Sequence, residues 1–164
     1  MILLPETQGN IEWEIEWFTP EEIAVESENG TFVYTDELIL TLTKLDELRE
    51  CLGKPVFISN ACRFDGSRGS QHYFKQFNAL DIYVKGCSSM ELMKEIEALD
   101  IGTARGLYPY TNSQIVHIDC RKGSSSKEGP VLRWWRDKDG SYRYYHNHYK
   151  NNLYEGWLEY GKQR

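Results

Sequence analysis

The 164-residue chain lacks the features of membrane proteins and of cysteine-based metal or redox proteins. No apolar run approaches the roughly 18 residues that span a bilayer, so we expect no contact with a membrane. The apolar start at 1–5 has no basic flank and is too short for a secretory signal. The four cysteines are widely spaced without a CxxC pair, which argues against a zinc knuckle and a thioredoxin-like site. We expect reduced thiols, although one disulfide stays possible.

Basic residues are scarce in the first 50 positions, which carry 13 acidic and 2 basic side chains. The remaining 114 residues carry 12 acidic and 17 basic side chains, and the net charge of the chain is −6. Nucleic-acid binding needs clustered positive charge, so we expect no nucleic-acid partner. A solvated acidic face accounts for the imbalance.

Two motifs of common enzyme classes are also missing. The absence of a Gly-x-Ser-x-Gly elbow argues against a serine hydrolase. The Gly-rich segments at 66–69 and 123–126 lack the Gly-Lys-Ser/Thr spacing of a phosphate-binding loop.

The hydrophobic pattern predicts one α+β domain over residues 1–164. Helices are predicted from Pro20, from Thr35 to Gly53, and after Ser88 or Ser89. Strands are predicted at 11–17 (or an extended arm), 55–59, 78–84 and 114–120, and 102–110 is a predicted turn or strand edge. Because strands and helices do not alternate regularly, we expect a small, mainly antiparallel sheet with helices packed on it.

Aromatic residues are concentrated at the end of the chain, where the last 34 residues hold nine of the 22. We expect the core to lie at about 17–135 and an aromatic-rich extension, 136–164, to pack on it as a hairpin. A sugar-stacking surface is the alternative, since aromatic faces suit sugar rings as well as core packing.

Two histidines and one aspartate form the best candidate metal site. His72 lies in a predicted loop, Asp81 in one predicted strand and His117 in another. Two imidazoles and a carboxylate would give zinc three ligands and leave a fourth position for water, as in catalytic zinc sites. A histidine within a strand is more often a core residue, so the spacing alone is only suggestive.

The candidate ligands belong to an ordered set of segments: Lys54–Arg63, Ser70-Gln-His72, Ala79-Leu-Asp-Ile82 and Val116–Arg121. This set resembles the zinc D-alanyl-D-alanine carboxypeptidase family of peptidoglycan peptidases, whose fold is shared with the Hedgehog signalling domain. In that family a Ser-x-His segment, a Gly-x-Ala-x-Asp segment and a later His follow an Arg-containing turn. The resemblance covers roughly residues 17–135.

The resemblance implies a zinc-dependent peptidase that cuts peptidoglycan stem peptides near D-alanine, as a carboxypeptidase or an endopeptidase. It implies His72, Asp81 and His117 as the zinc ligands. Arg63 would bind a substrate carboxylate or the charge developing on the scissile carbonyl. Ser70 would contact the substrate or hold His72 in place. Tyr108, which ends a Gly-x-Tyr segment typical of the family, would also contact the substrate.

Two departures from the family pattern bear on activity. Eight residues separate His72 from Asp81, where the family usually has six. Gln114 occupies the position at which many members carry an acidic general base, and an amide cannot take a proton. Asp119 would be the substitute base, or would instead orient a ligand histidine or pair with Arg121. A zinc-binding but non-hydrolytic cell-wall or virion module is therefore the alternative function.

The apparent lack of a signal sequence gives a further expectation. We expect synthesis in the cytoplasm and action on the cell wall after release, as for a phage endolysin. The expected partners are peptidoglycan peptides, and the expected state is a monomer.

Overall fold

The computed structural model describes residues 13–23, 25–26, 32–63, 68–73, 76, 78–109, 114–121 and 131–145. Within these ranges the chain forms three helices and eight strands. The helices are α1 (Pro20–Ile23), α2 (Asp36–Leu52) and α3 (Ser89–Ala98). The strands are β1 (Val25–Glu26), β2 (Phe32–Val33), β3 (Val56–Asn60), β4 (Ala79–Val84), β5 (Ala104–Leu107), β6 (Val116–Asp119), β7 (Leu132–Arg136) and β8 (Tyr142–Tyr145).

Six strands form one mixed sheet in the order β3-β4-β6-β5-β7-β8, and β1 pairs with β2 separately. Neighbours in the large sheet are antiparallel except β5 and β7, which are parallel. Helix α2 packs on β3, and α3 packs on β4 and β6. The predicted α+β class and mainly antiparallel sheet are therefore confirmed.

Capping residues fix the ends of the two long helices at the predicted positions. The Thr35 hydroxyl accepts a hydrogen bond from the Leu38 N–H at 3.2 Å at the start of α2. Gly53 ends that helix with φ 58°, a left-handed conformation that glycine adopts without steric cost. Ser88 and Glu91 form a reciprocal capping box at the start of α3.

Strand alternation gives the sheet an apolar face and a polar face. Leu80, Ile82 and Ile118 are almost fully buried and join the core with residues of α2 and α3. The intervening residues of β4 and β6, among them Asp81 and His117, project to the opposite face. The helices thus cover one side of the sheet, and the candidate site lies on the other.

A charged cluster ties α3 to the sheet beneath it. Arg105 on β5 is 1% exposed and forms ion pairs with Glu97 and Asp100. Arg133 on β7 also pairs with Glu97, at 2.6 Å. Because these charges are paired, the strands can bury two arginines against the apolar side of the sheet.

Two sequence-based assignments need correction. Of the two alternatives predicted for 11–17, the strand is wrong where the structure describes it, because residues 13–19 form no strand. Exposure still alternates as expected for the extended arm, since Trp13 and Ile15 pack against the core while Glu14 and Glu16 are exposed. Trp13 instead donates its indole N–H to the Phe18 carbonyl at 3.1 Å and packs edge-on against Tyr34. The segment predicted as a turn or strand edge contains β5, which lies inside the sheet between β6 and β7.

The described part of the predicted extension, 136–145, contains β8, which pairs antiparallel with β7. Residues 146–164, which include His146, His148 and Trp157, lie outside the described residues. The cysteines are free thiols, as predicted. Among the described residues, no helix combines the length and hydropathy needed to cross a membrane.

Candidate metal centre

One row of residues crosses all six strands of the sheet and carries most of the site. The strand register aligns Asn60 with Asp81, Asp81 with His117, and His117 with Gly106. It continues from Gly106 to Trp134 and from Trp134 to Tyr144. Directly opposed residues on neighbouring strands project to the same face, so Asp81 and His117 are neighbours by virtue of the sheet itself.

His72 reaches the same point from the loop between β3 and β4. The Arg63 N–H donates to the His72 carbonyl at 2.7 Å, and the His72 N–H donates to the Ser70 hydroxyl at 3.3 Å. These bonds turn the imidazole toward the sheet, where the residue is 3% exposed. The three predicted ligands are therefore brought together, across 45 residues of sequence.

Three acceptor atoms of these side chains converge. His72 Nε2 lies 3.1 Å from His117 Nδ1 and 3.2 Å from Asp81 Oδ1. His117 Nδ1 lies 2.9 Å from Asp81 Oδ1. Zinc ligands at about 2.0–2.1 Å in a tetrahedron lie about 3.3 Å apart, so the triangle is close to the size that a tetrahedral ion requires.

When both imidazoles are neutral, the hydrogen bonds behind them leave the converging nitrogens without protons. His72 Nδ1 donates to the Ala61 carbonyl at 2.7 Å, which assigns the lone pair to Nε2. His117 Nε2 donates to Asp119 Oδ2 at 3.0 Å, which assigns the lone pair to Nδ1. Two nitrogen lone pairs and a carboxylate oxygen at such distances repel one another unless a cation lies between them. The donor set thus fits a divalent ion.

Asp81 is held in its charged form. Burial alone would raise its pKa, but His117 and His72, which can donate to the carboxylate when they are protonated, outweigh burial and lower the pKa. Its second oxygen, Oδ2, accepts a hydrogen bond from the Asn60 amide at 3.1 Å. A carboxylate that is ionised and held from behind is suited to metal ligation.

Asp119 lies on the far side of His117 from the ligand triangle. Its side chain is fully buried, and Oδ1 accepts a hydrogen bond from Arg121 Nε at 2.7 Å. Burial would raise its pKa, yet hydrogen bonds from Arg121 and His117 lower the pKa to about 2. Burial would lower the pKa of His117, but its contacts with Asp119 and Asp81 raise it. Of the three predicted roles, these contacts are those of two: Asp119 accepts from a ligand histidine, as an orienting residue does, and it pairs with Arg121.

A cavity of about 350 Å³ opens over the imidazoles. Its lining residues are Arg63, Gly69, Ser70, Gln71, His72, Tyr108, His117, Arg121, Trp134, Tyr142 and Tyr144. All three residues predicted to contact substrate are therefore in its wall. Arg63 is exposed and donates to the Ser70 hydroxyl at 3.4 Å. Burial raises the pKa of Tyr108, so its phenol stays protonated.

Trp134 forms the floor of the cavity beside the ligands. Its ring lies 5.0 Å from the His117 ring, centre to centre. A Cβ on Gly106 would lie 2.2 Å from Trp134 Cζ2, so only glycine at this position lets the indole lie over β5. This role was not predicted from the sequence, because Gly106 and Trp134 are far apart in the chain and meet only through the pairing of β5 with β7.

The residue at the predicted base position does not enter the cavity. Gln114 is exposed and is not part of the lining. Among the described lining residues there is also no aspartate or glutamate. The sequence analysis further missed the Ala61 carbonyl and the Asn60 amide, because a supporting backbone or amide contact has no motif of its own.

Comparisons with known proteins identify the family. Searches of curated proteins and of solved structures gave no significant match. The family model described as Peptidase M15 matches residues 16–119, which is more than half of the chain and includes all three converging side chains. The chain belongs to the Peptidase M15 family.

Proposed function

We propose that this protein is a zinc-dependent peptidase that hydrolyses stem peptides of peptidoglycan, with the specificity of a D-Ala-D-Ala carboxypeptidase or of an endolysin-type endopeptidase. Family membership indicates a peptidase. The observation that carries the proposal is the convergence of three acceptor atoms, two of them on buried imidazoles, beside a cavity of about 350 Å³.

The ion would be held by His72 Nε2, His117 Nδ1 and Asp81 Oδ1. When bound, zinc polarises a carbonyl oxygen and lowers the pKa of a coordinated water to about 7. The chain contributes the tautomers: Ala61 holds the proton of His72 on Nδ1, and Asp119 holds the proton of His117 on Nε2. Asp119 therefore serves as a positioning residue.

Substrate contacts follow from the cavity wall. Arg63 is exposed and forms no ion pair with a described carboxylate, so its guanidinium is available for a peptide carboxylate. Ser70 holds that guanidinium in place. Burial raises the pKa of Tyr108, so the phenol stays protonated and can donate a hydrogen bond to the carbonyl oxygen of a bound peptide.

A second candidate function is a zinc-containing binding module of a cell wall or virion that does not hydrolyse its ligand. The absence of a carboxylate from the described part of the cavity wall favours it, because hydrolysis requires an acceptor for a water proton. Gln114 also favours the binding module, because its side-chain amide cannot accept a proton from water and is exposed.

One experiment separates the two candidates. Purified protein would be analysed for metal and incubated with muropeptides, and the products would be followed by mass spectrometry. If the protein is a peptidase, new muropeptide fragments should form only with zinc present, and His72→Ala should form none. Bound zinc without new fragments, between pH 5 and 9, would leave the binding module.

Substrate recognition is tested with a matched pair of variants. Arg63→Gln should reduce kcat/KM about 10- to 100-fold, the loss of one charge-assisted hydrogen-bonded pair. Arg68→Gln changes an exposed arginine of the same loop that does not line the cavity, and it should leave kcat/KM unchanged.

A further inference from the structure

The cavity has a charge opposite to that of the protein. The chain has a net charge of −6, yet the described cavity wall holds two arginines and no carboxylate. A divalent ion would balance the charges of Asp81 and Asp119, the two carboxylates closest to the imidazoles. Although Arg121 pairs with Asp119, the site with its ion would keep a net positive charge, and a positively charged cavity selects an anionic ligand.

Arg121 is fixed in place but keeps part of its guanidinium for a ligand. Its Nε and Nη2 donate to the two oxygens of Asp119, a two-point contact that holds the group rigidly. Among the described residues Nη1 has no partner, and the side chain is 27% exposed where it lines the cavity. A preorganised guanidinium loses little entropy on binding a carboxylate.

The rest of this wall comes from the C-terminal hairpin. Tyr142 and Tyr144 are 51% and 48% exposed, and both line the cavity with Trp134. Tyr144 lies near enough to Arg121 to affect its pKa. Arg121 and these aromatic residues follow the segment 16–119 that matches the family model.

We propose that Arg121 is a second anion anchor and that the cavity accepts a peptide with two carboxylates, one bound by Arg63 and the other by Arg121. The inference rests on the proposed function, because it places the peptide between the arginines and across the ligand triangle. The aromatic wall would cover the apolar part of the peptide between its two charged groups.

A matched pair of substrates tests the anchor. Two stem-type peptides ending in D-alanine with a free C-terminus would differ at one internal position, glutamate in one and glutamine in the other. Arg121→Gln should lower kcat/KM about 10- to 100-fold on the glutamate peptide. On the glutamine peptide the loss should be smaller, because only the support that Arg121 gives to Asp119 is removed. An equal loss on both peptides would overturn the proposal, since Arg121 would then act only through Asp119.

The control is Arg143→Gln. Arg143 lies on β8, in the hairpin that supplies the aromatic wall, but it pairs with Asp137 and does not line the cavity. It should leave the ratio of kcat/KM between the glutamate and glutamine peptides unchanged. If it abolishes the ratio as Arg121→Gln does, the effect is general to the hairpin and the anchor is rejected.

Binding measurements separate failure of the anchor from failure of the proposed function. Calorimetric titration of the zinc-loaded wild-type protein should show at least tenfold tighter binding of the glutamate peptide. This measurement needs neither hydrolysis nor a folded variant. Absence of cleavage together with this preference would refute the peptidase and retain the anchor. Equal affinity for the two peptides would refute the anchor even if both are cleaved.

Discussion

Replacing Asp119 by asparagine tests how the protein sets the protonation of a metal ligand. The carboxylate accepts four hydrogen bonds: one from His117 Nε2 and three from the backbone N–H, Nε and Nη2 of Arg121. An asparagine NH₂ group would replace either Oδ2, which accepts from His117 Nε2 and Arg121 Nη2, or Oδ1, which accepts from the backbone N–H and Nε of Arg121. In the first position the imidazole must accept at Nε2 and move its proton to Nδ1, the atom that lies 2.9 Å from Asp81, and the NH₂ group also meets Arg121 Nη2. In the second position the NH₂ group meets two donors of Arg121 in a buried site.

Both orientations have a measurable cost. A donor left unsatisfied in a buried site costs about 1–3 kcal/mol. Loss of a carboxylate behind a metal-bound histidine weakens metal binding about 10- to 100-fold, which corresponds to about 1.4–2.8 kcal/mol. We therefore expect Asp119→Asn to bind zinc 10- to 100-fold more weakly than the wild type.

The measurement is a competition titration of metal-free protein against a chromophoric zinc chelator. Imidazole ¹⁵N shifts would report the tautomer of His117. Asp139→Asn is the control, because Asp139 lies 62% exposed in the turn between β7 and β8 and should leave zinc affinity unchanged. Unchanged zinc affinity in a folded Asp119→Asn protein would refute the reasoning, since the His117 proton would then not depend on Asp119.

Three further predictions follow from the same geometry. Gly106→Ala should displace the Trp134 indole and destabilise the protein by about 1–3 kcal/mol, which calorimetry should record as a fall in Tm of about 3–10 °C. Removal of metal by a chelator should lower Tm, and zinc should restore it in proportion to the logarithm of its free concentration; an unchanged Tm would exclude an ion that binds the folded state. At pH 8 a thiol reagent should modify the exposed Cys51 within minutes but not Cys120, which is buried and whose pKa burial raises to about 12; equal labelling rates would contradict the described packing.

The elements that local chemistry specifies were predictable from the sequence. Helix α2 has Thr35 at its start and Gly53 at its end, and both residues act as the sequence indicates. The strands that carry Asp81 and His117 were also identified, together with the loop that carries His72. The convergence of these three side chains required knowledge of their order in a family, because spacing along a chain does not determine distance in space.

The errors occurred where tertiary contacts decide the structure. Ile11–Trp17 alternates as a strand does, but the described part has no neighbouring strand to pair with and packs through Trp13 instead. The segment around Arg105 has the glycine and charge typical of an exposed turn. It becomes an interior strand because Glu97 and Asp100 of another element neutralise the arginine, which no local pattern records.

The two halves of the ligand triangle differ in how they are anchored. Asp81 and His117 are fixed by the spacing between two adjacent strands, whereas His72 is attached through a connecting segment and its bond to Ala61. A change in the pairing of β4 and β6 would therefore move Asp81 and His117 together, whereas a change in the loop would move His72 alone.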